Sequence, residues 1–113
     1  MLRACLSIAL VLVLAACGGE QNGAQGEAAA VHPGEGIYLR SCFSCHASGV
    51  AGAPHVGDTV AWRERLANGR EVLLKSTVEG MPPGMPAKGM CFDCTDAQFM
   101  DAIDYMLVKS GVE

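Results

Sequence analysis

Cys42-Phe43-Ser44-Cys45-His46 constrains this chain more than any other stretch, because two thiols three positions apart with a histidine directly after them read as covalent haem attachment. Each thiol adds to one vinyl group of the porphyrin, and the adjoining imidazole is held under the iron as an axial ligand. Five residues thereby supply two thioethers and one ligand. The competing readings make Cys42-x-x-Cys45 a zinc half-site or a thioredoxin-like redox pair, with His46 an incidental neighbour. A four-thiolate zinc site would recruit the only other close pair, Cys91 and Cys94.

The amino terminus is equally patterned. Met1-Leu2-Arg3 gives a positive start, 4–16 is almost wholly apolar, and Leu14-Ala15-Ala16-Cys17 ends the run with small residues before a cysteine. This resembles a lipoprotein signal peptide over 1–16, which implies cleavage before Cys17 and diacylation of its sulfur. Thirteen apolar-dominated residues fall short of the roughly 20 that span a bilayer. An ordinary secretory signal, leaving Cys17 without lipid, is the rival reading. After Cys17 the residues up to Ala30 are small or polar, so 17–33 reads as the lipidated cysteine and a flexible tether. As a random coil, 18–33 would span roughly 20–25 Å.

Every cysteine can then be given a role. Cys5 leaves with the signal, Cys17 carries lipid, and Cys42 and Cys45 carry haem. Cys91 and Cys94 remain, an even pair in an exported chain, for which a small-loop disulfide is the natural assignment and two free thiols the alternative.

The formal net charge is −4, and loss of Arg3 from eight basic residues leaves seven against twelve acidic ones. Nucleic acid is therefore not the expected partner. The third segment, 34–113, is about eighty residues, a size at which one apolar core is marginal without a disulfide, metal or cofactor. A buried porphyrin would supply much of that core.

The periodicity predicts helices and no strands. The first runs over 34–45 into the attachment motif, with Ile37, Tyr38 and Phe43 available to bury. A second covers 60–66 and is stopped by Asn68-Gly69, and a third covers 71–78. Three prolines and two further glycines in 81–89 exclude a helix there. The last helix has the clearest start: Thr95 with Gln98 makes a capping box, and Phe99, Ile103 and Met106 follow at helical spacing. Asp96 and Lys109 suit its dipole, and Gly111 suits its stop.

A second axial ligand is available in the proline-rich segment, where Met81 and Met85 are each followed by proline. A thioether there would raise the reduction potential. Met90, Met100 and Met106 read as core filler.

From Gly34 to Met106 the chain resembles a class I c-type cytochrome, of the cytochrome c-five type. The resemblance rests on Gly34, Tyr38, Cys42-x-x-Cys45-His46, Gly49-Val50-Ala51-Gly52-Ala53-Pro54, Gly57-Asp58, Trp62, Gly80, Met85-Pro86-Ala87-Lys88-Gly89, Cys91-x-x-Cys94 and Asp104-Tyr105-Met106. It implies a small all-α fold of three to five helices around one haem c, with His46 and Met85 as axial ligands and Cys91–Cys94 as a disulfide. It also implies that Pro54 offers its carbonyl to Nδ1-H of His46. Met85 is preferred by its spacing to Cys91, although the additional Met81-Pro82-Pro83 puts a second thioether within reach. Trp62, with Arg63 or Arg65, reads as a neighbour of a propionate or equally as core and solvated charge. Tyr38 and Tyr105 are expected where the first and last helices cross, and His32 and His55 are expected to be exposed.

The function expected from these readings is electron carriage rather than catalysis. The chain would be a monohaem carrier, lipid-anchored in the periplasm, moving one electron between redox proteins such as a bc complex, a terminal oxidase or a periplasmic reductase. Contact would be made near Gly49, Ala51 and Ala53. A haem sensor or peroxide-reactive domain with a displaceable methionine is the alternative, and a haem-free thiol or zinc module is the third.

Overall fold

A computed structural model of the chain describes residues 29–113. The leader expected over 1–16, the lipidation candidate Cys17 and most of the tether lie outside the described residues. The first helical path runs unbroken from Glu35 to His46 but changes pitch on the way. It consists of α1 (Glu35–Ile37), a π-helical turn (Tyr38–Cys42) and α2 (Phe43–His46). Then come α3 (Thr59–Leu66), α4 (Arg70–Glu79) and α5 (Asp96–Lys109), with 3-10 turns at Val50–Gly52 and Ala87–Met90. Among the described residues there is no strand, and the one sheet-like contact is a bridge between Met81 and Met85. No helix among them is long and apolar enough to cross a membrane.

Local chemistry explains the boundaries. The Asp58 carboxylate accepts from the backbone N–H of Ala61 at 3.0 Å, which starts α3 a residue earlier than the apolar pattern does. Gly69, at φ 95°, makes the turn between α3 and α4 that a β-carbon would strain. At the head of α5, Thr95 Oγ1 accepts from Gln98 N at 3.3 Å and Thr95 N donates to Gln98 Oε1 at 2.9 Å, so the expected capping box is present. The segment 81–89 is free of α-helix as expected, but the 3-10 turn over Ala87–Met90 enters it, using Lys88, Gly89 and Met90 in the left-handed region.

The first helical path crosses α5 at Gly34. A β-carbon on Gly34 would fall 1.9 Å from the carbonyl oxygen of Asp101, so only glycine permits that approach. One turn further on, Tyr38 and Tyr105 meet with ring centroids 5.0 Å apart. They join Trp62, Ile103, Met106, Leu107 and Val112 in the main core, and Phe99 packs with Cys91 and Cys94 in a second cluster. Phe99 and Leu107 are each only 1% exposed, and burying either contributes about 1.5–3 kcal/mol. An ion pair between Arg70 and Asp104 ties α4 to α5.

Four side chains lie elsewhere than the pattern suggests. Phe43 remains 50% exposed, edge-on to Tyr38, because the π-turn rotates it off the buried stripe. Met90 is not core filler: left-handed backbone at φ 67° turns it outward, and it is 64% exposed. Met100 is half-buried rather than core, while Met106 is buried as expected. His32 is half-buried rather than exposed, since its Nδ1 accepts from Gly34 N at 3.1 Å and its ring stands against Tyr105.

Candidate cofactor site

His46 ends α2 with its side chain buried. Its Nδ1 lies 2.9 Å from the carbonyl oxygen of Pro54. A carbonyl can only accept, so Nδ1 carries the proton and Nε2 keeps its lone pair for a metal. Burial pulls the imidazole below its usual pKa, the hydrogen bond to Pro54 works the other way, and Arg65 adds to the lowering. The ring is thus held neutral, which is the state a metal requires.

Trp62 packs behind this ring, 5.7 Å between centroids, and its Nε1 donates to the carbonyl of His55 at 3.0 Å. The sequence left Trp62 between propionate neighbour and core residue; its position is in the core, supporting His46. Arg65 lines the cavity that His46 faces, whereas Arg63 is exposed. His55 is exposed, as expected.

That cavity measures about 540 Å³, well within the range of cofactor sites. Cys42, Cys45 and His46 line it from the first helical path, Val50 to Pro54 from the following loop, Phe99, Ala102 and Met106 from α5, and Met81 and Met85 from the proline-rich segment. Cys42 and Cys45 are not joined to each other. Burial, with Cys45 adding to it, pushes the Cys42 thiol up to about 11. The tip of the proline-rich segment closes on the loop after His46: a β-carbon on Gly84 would lie 2.9 Å from the carbonyl oxygen of Ala51. Within this segment Met81 and Met85 exchange both backbone hydrogen bonds, N to O, at 2.8 and 3.0 Å. Met85 is half-buried and Met81 is 58% exposed.

The donor set fits a haem and does not fit zinc. Two thiols, a neutral imidazole and two thioethers face one large, mostly apolar space. Cys91 and Cys94 form a disulfide, with Cα atoms 5.4 Å apart, and so cannot complete a four-thiolate site.

Comparison with known proteins decides the family. The family described as "Cytochrome C oxidase, cbb3-type, subunit III" matches residues 29–106. Cytochrome c-555 of Chlorobaculum tepidum is 41% identical over 80 residues, covering 68% of this chain and 74% of that protein. Cytochrome c5 of Ectopseudomonas mendocina is 42% identical over 72 residues, covering 62% of this chain and 82% of that protein. The chain belongs to the class I c-type cytochromes. A chain from the crystal structure of an electron transfer complex of nitrite reductase with cytochrome c shares the fold, with a TM-score of 0.64 and 38% identity, covering 69% of this chain and 94% of that one. The cytochrome carries one covalently bound haem c and is an electron-transfer protein.

Some of the surroundings of the site had no sequence signal. Arg40 places its Nη2 at 2.7 and 2.9 Å from the sulfurs of Cys91 and Cys94, a contact across more than fifty residues that only the fold creates. Phe99 and Met106 were readable as the apolar face of the last helix, and that face is also a wall of the cofactor cavity.

Proposed function

We propose that this cytochrome is a periplasmic one-electron carrier, anchored by lipid on Cys17, in which His46 and Met85 are the axial ligands of the haem iron. When bound, the haem supplies a ferric/ferrous couple. The observation that carries the ligation is the His46 imidazole, pinned through Nδ1 to Pro54 with Nε2 unprotonated at the cavity wall. The Pro54 carbonyl and the Trp62 ring keep that imidazole from rotating, and the hydrogen bond makes Nε2 a better donor. Met85 brings a soft, half-buried thioether to the same cavity, which favours the reduced state. Arg65, at the cavity edge, offers a positive charge to a propionate.

The segment Val50–Gly52 is exposed beside the attachment motif and carries small or apolar side chains, a surface suited to brief docking. The solved complex of a cytochrome c with nitrite reductase supports a periplasmic reductase among the partners, alongside a bc complex or a terminal oxidase as other redox neighbours. Net negative charge on the full chain would make such encounters depend on salt.

The test is the spectrum of the purified protein, oxidised and reduced, after acid–acetone extraction. Haem retained on the polypeptide, a ferric sulfur-to-iron charge-transfer band at the red edge of the visible, and no carbon monoxide binding at neutral pH are expected. A high-spin spectrum with ready carbon monoxide binding would instead make the protein a ligand sensor. Release of the protein from the membrane fraction by Cys17→Ala tests the anchor.

A further inference from the structure

The proline-rich segment carries two thioethers, and its backbone makes them a pair. Met81 and Met85 exchange two N–H to O=C hydrogen bonds, at 2.8 and 3.0 Å, across Pro82-Pro83-Gly84. Residues opposed in this way in an antiparallel ladder have Cα atoms about 5.5 Å apart and project their side chains to the same face. Both residues line the cavity, and Gly84 seats the tip of the hairpin against Ala51, on the loop that follows His46. A methionine has three rotatable side-chain bonds, so either sulfur can be redirected without moving this backbone.

We propose that Met81 is a second sulfur ligand for the haem iron, exchanging with Met85 by side-chain rotation within one fixed hairpin. The inference rests on the reading of Met85 as the resident ligand. The exchange breaks one iron–sulfur bond and forms another, with no change in electron or proton count.

The experiment compares the holoprotein with Met85→Leu, Met81→Leu and the double variant, reading the ferric sulfur-to-iron charge-transfer band and the carbon monoxide affinity of the reduced forms. The expected result is that Met85→Leu keeps the band, that Met81→Leu keeps it, and that the double variant loses it. Occupation of the iron by Met81 in nine of ten Met85→Leu molecules would weaken apparent carbon monoxide binding about tenfold relative to the double variant. Loss of the band in Met85→Leu, with carbon monoxide affinity equal to that of the double variant, overturns the inference and leaves Met85 as sole ligand. Loss of the band in Met81→Leu alone overturns the ligation reading itself, and a band surviving in the double variant overturns both by pointing to another methionine. Covalent haem content confirms in each case that the variant has folded and been loaded, and Met85→Ala repeats the comparison should the leucine disturb packing.

Discussion

Cys42 and Cys45 are three residues apart, as are Cys91 and Cys94, yet the first pair lines a large cavity and the second is closed into a disulfide. Spacing brings each pair within reach; the surroundings decide what the sulfurs do. The first pair lies on a helical path facing an apolar cavity, where burial pushes the Cys42 thiol up to about 11. The second pair spans a turn and lies beneath the Arg40 guanidinium, which contacts both sulfurs. A positive charge there favours thiolate, and hence exchange until the bridge is made. Beyond each second cysteine the chain diverges again, to a buried imidazole held by Pro54 at His46 and to a helix cap at Thr95.

The largest expected contrast comes from removing each pair in turn. Cys42→Ala with Cys45→Ala should abolish covalent haem, whereas Cys91→Ser with Cys94→Ser should retain it and lose about 2 kcal/mol of stability, the cost of opening so short a loop. Haem staining after denaturing electrophoresis, together with chemical denaturation, separates the two. Equal haem loss in both variants would mean that the clip is needed for loading.

A smaller effect should follow Arg40→Leu. Removing the guanidinium takes away a partner of the reduced sulfurs, so the disulfide should become harder to reduce, with a potential more negative by about 30 mV, which corresponds to about 1.4 kcal/mol for two electrons. Dithiol titration with mass-spectrometric readout measures it. An unchanged potential would show that Arg40 only packs on the bridge.

Thr95→Ala removes the cap that follows the clip and should cost about 1 kcal/mol, with the visible spectrum unaltered. A spectral change would reveal that the clip and the cap jointly position the methionine segment.

The smallest effect is an alkaline one on the haem-bearing side. Burial raises the phenols of Tyr38 and Tyr105 above their usual value, with Tyr105 adding to the effect on Tyr38 and Glu35 to that on Tyr105. The unfolded chain therefore releases phenolic protons first as pH climbs past about 10. Stability that is present below that point is lost as pH rises through the raised folded values. Denaturation midpoints measured across this range should fall, and Tyr105→Phe should flatten the slope. A slope untouched by the substitution would assign the loss to other groups.

What could be read in the sequence was local or stoichiometric. The attachment motif is contiguous, the capping box at Thr95 is complete within four residues, and the breakers in 81–89 act on their own backbone. The crossing of Tyr38 with Tyr105 followed from a family resemblance. The π-turn was not readable, because a one-residue change of winding leaves no composition of its own, and Phe43 was misjudged in consequence. Met90 was misjudged because its left-handed backbone depends on how Ala87–Met90 folds back on the first helical path. Arg40 reads as an ordinary exposed cation until α5 and the turn before it are laid alongside.

The five-residue winding at Tyr38–Cys42 also sets what kinds of change this chain can survive. An α-helix turns by about 100° per residue, so one residue gained or lost between Gly34 and Cys42 would swing the attachment face by more than a quarter circle away from the cavity. A π-turn is such an insertion already absorbed: it lets Gly34 and Tyr38 stay on α5 while Cys42, Cys45 and His46 face the cavity. Along this stretch the outward positions, such as Leu39 and Phe43, are open to a change of letter. The number of letters is not.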